Sequence, residues 1–159
     1  MPAGQILVGV ISDTHGLIRP EAVAALRGSD LIIHAGDVGA PQVLDELRKL
    51  APTFVVRGNI DVAHWAGALP ATAHVEAGGL MFHVLHDIAE LGLDPAAAGY
   101  AAVVYGHSHQ PSIDTREGVL FLNPGSAGPR RFRLPVSIAR VSVSGGTLRP
   151  EIVELQIKS

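Results

Sequence analysis

The chain has 159 residues, 47% of them hydrophobic, with 18 glycines, 11 prolines, no cysteine and a formal charge of −3. That length supports one domain, spanning residues 1–159, which buries roughly 70% of the surface its unfolded chain exposes, and the composition excludes a disordered chain. The missing cysteines exclude disulfides and thiolate metal sites, and the net charge leaves no footprint for non-specific nucleic-acid binding. With neither a basic leader nor a long apolar segment at its start, the chain reads as cytoplasmic and free of membrane spans.

An apolar run over 6–11 predicts the first strand, and Asp13-Thr14-His15 follows it directly. Pro20, then Ala22, Val23 and Leu26 at helical spacing, with Gly28 as a stop, predict a helix over 19–26. The next strand covers 31–35. Pro41 opens a second helix over 41–50, with Val43, Leu44, Leu47 and Leu50 on one face, and a strand over 53–56 follows. This alternation predicts three parallel strands with right-handed crossovers.

The second half is built of hairpins. Residues 72–77 and 80–86 flank Gly78-Gly79, the signature of a tight two-residue turn. A capped short helix over 94–99 is expected to lead into a strand over 101–105. Two more hairpins are read at 113–115 with 119–122, and at 135–143 with 148–155 around Gly145-Gly146. The whole predicts an α/β chain with two mixed sheets packed face to face as a β-sandwich and helices outside.

Five of the apolar runs end in polar groups. They lead to Asp13-Thr-His15, His34-Ala-Gly-Asp37, Arg57-Gly-Asn59-Ile-Asp61, His86-Asp87 and Gly106-His107-Ser-His109. Asp-x-His alone is a weak signal, but ligands in open α/β sheets gather outside the carboxyl ends of the strands, so all five clusters can share one rim. Asp13, His15, Asp37, Asn59, His86, His107 and His109 are then seven candidate ligands, too many for one structural zinc and suited to two ions. A metal-dependent hydrolase is the expectation.

In this order, the motifs resemble the calcineurin-like metallophosphoesterase superfamily. Its small single-domain phosphodiesterase branch is the nearest match, because Asn123-Pro-Gly-Ser126 is similar to that branch's signature. The resemblance implies a four-layer αββα fold, with Asp13, His15 and His109 holding one ion, Asn59, His86 and His107 the other, and Asp37 bridging them. It also implies a small phosphodiester substrate attacked by a shared, metal-activated hydroxide, with Asp37, Asn59 and His86 acting through it and no covalent enzyme intermediate. The imidazole-rich set favours Mn as the first expectation, with Fe, Zn or Ni fitting the same donors, over Mg.

Two positions depart from the pattern. Ile60 stands where many superfamily members carry a histidine that protonates the leaving group, which predicts preference for diesters with acidic alcohols over alkyl monoesters. Asp87 stands where the branch usually has glycine.

Other residues have competing readings. His34 is a hydrogen-bonded core residue or a support for a ligand, and His64, His74 and His83 are read as structural or exposed. Arg130-Arg131-x-Arg133 is a solvated face, or a fork in which Arg130 binds a substrate phosphate. Ser12 and Ser126 lack the Gly-x-Ser-x-Gly elbow of a serine hydrolase. A non-catalytic metal-binding scaffold of the same fold, like the retromer subunit that resembles this branch, is the rival function, and a homo-oligomer is compatible with either.

Overall fold

In a computed structural model of the protein, which describes residues 5–131 and 133–157, the alternation of apolar runs and proline-initiated helices produces two five-stranded sheets. Strands β1 (Ile6–Ile11), β2 (Leu31–His34) and β3 (Thr53–Val55) are joined through helices α1 (Pro20–Leu26) and α2 (Pro41–Arg48). They pair in parallel, β1 with β2 and β2 with β3, as their crossovers require. Strands β4 (Thr72–Ala77), β5 (Leu80–Leu85), β6 (Ala102–Val104), β7 (Ser112–Arg116) and β8 (Val119–Asn123) form the second sheet in the order β4-β5-β6-β8-β7. The hairpin of β9 (Ser137–Ser144) and β10 (Thr147–Glu154) returns to the first sheet, giving β10-β9-β1-β2-β3.

Period-2 alternation explains how the sheets meet. Val8, Val10 and Ile33 of one sheet pack against Val75, Phe82, Val84, Val104 and Leu122 of the other, all at most 1% exposed. On the outer face of the first sheet, Ala22 and Leu26 of α1 and Val43, Leu44 and Leu47 of α2 cover Ile11, Ile32 and Ile138. Each such buried aliphatic side chain contributes about 1.5–3 kcal/mol. Gly9 lets α1 approach this closely, since a Cβ there would sit 2.7 Å from Leu26 Cδ2.

The outer face of the second sheet has a thinner cover. Leu85, Val103, Val119 and Phe121 lie under Ile88, Leu91 and Tyr105, and a short 3-10 helix (Ile88–Glu90) crosses there. The helix expected over 94–99 is instead one capped turn, in which Asp94 Oδ1 accepts from Ala96 and Ala97 N–H. Three consecutive alanines offer no apolar stripe to dock, and so short a segment cannot offset the cost of helix nucleation. A 3-10 helix at His64–Ala68, anchored by buried Ala66, was not signalled by periodicity. Among the described residues, no helix is long and apolar enough to cross a membrane.

Candidate metal centre

The strand ends deliver their polar groups to one place because the first two loops run side by side. Asp13 N–H donates to Gly36 C=O (3.0 Å), His15 N–H to Asp37 C=O (3.0 Å) and Gly16 N–H to Val38 C=O (2.7 Å), extending the β1–β2 pairing past both strands. The hairpin half is tied in by Gly106 N–H to His86 C=O (3.0 Å) and Ala127 N–H to Ser12 C=O (3.1 Å). The site therefore lies at the carboxyl ends of β1, β2, β5 and β6.

Asp13 is fixed at nearly every polar atom. Its N–H is paired as above, its C=O accepts from Ser126 Oγ (3.0 Å), and Oδ2 accepts from Ser12 Oγ (2.6 Å) and His107 N–H (3.1 Å). Oδ1 alone is buried without a hydrogen-bond partner. Around it stand His109 Nε2 at 3.4 Å, His86 Nε2 at 3.8 Å and His15 Nε2 at 4.0 Å. Asp37 is held likewise by Ile60 N–H on Oδ1 (3.0 Å), leaving Oδ2 3.2 Å from His86 Nε2 and 3.7 Å from His15 Nε2.

These spacings suit a shared cation. Two ligands that each lie about 2.1 Å from an ion stand at most about 4.2 Å apart. Asp13, His15 and His109 satisfy mutual proximity as one group, and Asp13, Asp37 and His86 as a second. Asp13 Oδ1, His15 Nε2 and His86 Nε2 are all buried and unpaired, which is costly unless something positive lies between them. Asn59, His86 and His107 line one open cleft of about 290 Å³. All seven expected donors thus face one region, with Asp13 at its centre.

Backbone strain is concentrated in the same residues. Of six described non-glycine residues with positive φ, five are Asp13 (56°), His15 (49°), Asp37 (57°), His107 (73°) and His109 (65°). Each such conformation costs on the order of 1–3 kcal/mol and persists only where its surroundings enforce it. The glycines beside them make room. A Cβ at Gly58 would overlap Asp37, one at Gly106 would overlap Ser12, and one at Gly36 would lie 2.7 Å from His86 Nδ1.

Charge and burial are balanced within this group. Burial raises the Asp13 carboxyl above its ordinary range, against the pull of the Ser12 hydroxyl and nearby imidazoles. Burial would raise Asp37 as well, but the adjoining His86, the Ile60 N–H and His15 bring it down to about 2. His86 moves oppositely: burial alone would lower it, yet Asp37, the Ala35 carbonyl and Asp13 raise it. His86 Nδ1 lies 2.8 Å from Ala35 C=O, which accepts only from N–H, so Nδ1 carries a proton and Nε2 is aimed at the carboxylates.

The supporting residues were the least legible. His34 is fully buried; its Nδ1 accepts from Gly36 N–H (3.1 Å), so Nε2–H donates to Thr14 Oγ1 (3.0 Å), whose own proton goes to Val38 C=O (2.8 Å). It is a hydrogen-bonded core residue that also fixes both ligand loops. Asp61 accepts from Val38, Gly39 and Gly58 N–H at 2.9–3.1 Å and clamps the Asp37 and Asn59 loops together. Asn123 donates to Gly106 C=O (3.1 Å) and Ser108 Oγ (3.1 Å), so the segment 123–126 shapes the His107 and His109 loop. The Asp two residues past Asn59 was the available signal for Asp61, and the Asn123-Pro-Gly-Ser126 motif was the signal for Asn123.

The remaining polar residues fall elsewhere. Arg130 is exposed and lines a separate cleft with Pro135, Val136 and Glu154, and none of the seven candidate donors lines it. The exposure of Arg130 accords with the solvated-face reading of the triplet. Arg131 is the member of that triplet whose positive charge reaches His109, adding to the burial that lowers this imidazole. His64 and His74 are exposed, while His83 is buried beside the Tyr100 ring, their centroids 5.0 Å apart.

Known proteins share this fold and part of this sequence. The model of the calcineurin-like phosphoesterase superfamily domain matches residues 6–146. A probable metallophosphoesterase of Methanothermobacter thermautotrophicus is 36% identical over 160 residues, spanning 93% of this chain and 92% of its own. Among solved structures, an archaeal phosphodiesterase has a TM-score of 0.77 at 22% identity, covering 93% of this chain and 100% of its own. Vps29 of Entamoeba histolytica complexed with Zn²⁺ has a TM-score of 0.69 at 22% identity, covering 95% and 99%. The last two show the shared fold.

Proposed function

The chain belongs to the calcineurin-like phosphoesterase superfamily, and from that premise we propose that it hydrolyses small phosphodiesters with two divalent transition-metal ions. Asp13, His15 and His109 would hold one ion, Asn59, His86 and His107 the other, with Asp37 between them. The observation that carries this reading is Asp13 Oδ1, the one unpaired atom of an otherwise fully hydrogen-bonded carboxylate, facing three imidazole nitrogens at 3.4–4.0 Å. Imidazole and carboxylate donors without a thiolate fit Mn²⁺ first, and Fe, Zn or Ni by the same chemistry.

When bound, such a pair of ions supplies Lewis acidity toward phosphate oxygens and lowers the pKa of a water between them. The chain's own residues set the geometry. Ile60 N–H fixes the Asp37 carboxylate, Ala35 C=O fixes the His86 ring, and exposed Asn59 presents its amide to the cleft where the phosphate would lie. Ile60 itself places an apolar side chain, 41% exposed, where a proton donor would be needed for a poor leaving group. The proposed substrates are accordingly diesters with acidic alcohols, such as aryl esters.

The rival reading, a binding scaffold, has support in the fold shared with Vps29. Because that neighbour is itself complexed with Zn²⁺, metal binding does not separate the two functions. Hydrolysis does. The purified protein should turn over an aryl phosphodiester with Mn²⁺, lose that rate on chelation, and lose it in Asp37→Ala. No metal-dependent rate in the wild type would reject the enzyme in favour of the scaffold, and faster turnover of glycerol phosphate than of the aryl diester would reject the leaving-group argument.

A further inference from the structure

The cleft that holds Asn59, His86 and His107 has a second set of lining groups. Asp87 and Glu90 stand on it, at the start and end of the turn formed by the 3-10 helix Ile88–Glu90, and Arg57 is the only lysine or arginine among the described lining residues. Asp87 is held in place. Its Oδ1 accepts from Ala89 N–H (3.0 Å), which leaves Oδ2 3.9 Å from His107 Nε2. Arg57 forms no ion pair with either carboxylate among the described residues; its backbone N–H donates to Pro70 C=O (2.8 Å) and its Nη1 donates to Leu69 C=O (3.5 Å).

We propose that Asp87 and Glu90 form a charge filter that admits monoanionic phosphodiesters and repels dianionic phosphates from the same cleft. This rests on the phosphodiesterase reading and names what selects its substrate. Above its second pKa of about 6 a phosphomonoester carries two charges and a diester carries one. A fixed carboxylate on the cleft wall therefore costs the monoester roughly twice the repulsion. Even with the full screening of bulk water, one additional unit of charge at about 4 Å alters affinity by about fivefold. The product of diester hydrolysis is such a dianionic monoester, so the filter also promotes its release. This selection acts on binding, whereas the missing leaving-group acid at Ile60 acts on turnover, and the two can be separated.

Asp87→Asn keeps the cap on Ala89 and removes the charge, and Glu90→Gln is its isosteric companion. In the double variant, calorimetric binding of inorganic phosphate to the Mn²⁺-loaded protein should tighten severalfold at low salt and by much less at high salt, where screening shortens the reach of the carboxylates. Phosphomonoester product should inhibit more strongly, while KM for the aryl diester falls by only about the square root of that factor, since the diester carries one charge rather than two, and the dependence of kcat on leaving-group acidity is unchanged. Arg57→Gln should shift phosphate affinity the opposite way. Unchanged phosphate affinity in the double variant, with the wild type still hydrolysing diesters, would overturn the filter alone. Phosphate binding and hydrolysis both absent from the metal-loaded wild type would overturn the underlying reading and the filter with it.

Discussion

The candidate donors divide into a buried wall and an open one. Asp13, Asp37, His86 and His109 are at most 6% exposed, whereas Asn59 and His107 face solvent in the cleft. On the buried wall, three of the four are fixed in advance: Ser126 Oγ and His107 N–H hold Asp13, Ile60 N–H holds Asp37, and Ala35 C=O holds His86. On the open wall no described hydrogen bond restrains the side chains of Asn59 or His107. Preorganised donors give an ion high affinity because little ordering remains to be done on binding. Open donors leave room for substrate to enter and exchange.

The sharpest way to break this comparison is at its centre. Asp13→Ala should lower diesterase activity about a thousandfold, and elemental analysis should show loss of the ion shared with His15 and His109 before the other. Equal retention of both ions would show that the buried wall does not set the order of filling.

A second effect lies behind that wall. Burial holds His34 at about 4, below its ordinary value. Above pH 6.5 it is neutral in both folded and unfolded chains and contributes nothing to pH dependence. Between pH 6.5 and 4 the unfolded chain takes up a proton that the folded one does not. Stability should therefore fall by roughly 3 kcal/mol across this window and level off below it. Urea unfolding at successive pH values, compared with His34→Gln, isolates this contribution; identical pH profiles would show that His34 is not held neutral.

The smallest effect sharpens the contrast itself. His86→Ala should cost about a hundredfold in kcat/KM and His107→Ala about tenfold, since the exposed position can be substituted by water. Equal losses would erase the distinction between the walls.

Much of the fold was legible because its signals are local. Pro20 and Pro41 opened both helices, and Gly78-Gly79 and Gly145-Gly146 closed hairpins at the expected places. Strand ends shifted by one or two residues, as at His34, where the chain turns into the strained Gly36-Asp37 loop. The turn at 94–99 was misread because a cap and three alanines satisfy helix rules without providing anything to pack. Asp61 was visible in its motif yet its clamp on Val38 and Gly39 was not, since both partners lie more than 20 residues away.

The sequence by itself determined which residue types end each strand, and hence which carboxylates and imidazoles converge, because chain direction and side-chain period are short-range properties. The tertiary structure decided how each is used. It left Asp13 Oδ1 as the free oxygen, gave His86 its tautomer, turned Arg130 to another cleft and set Asp87 beside His107. Those outcomes depend on hydrogen-bond partners and burial supplied by distant segments, which no local pattern encodes.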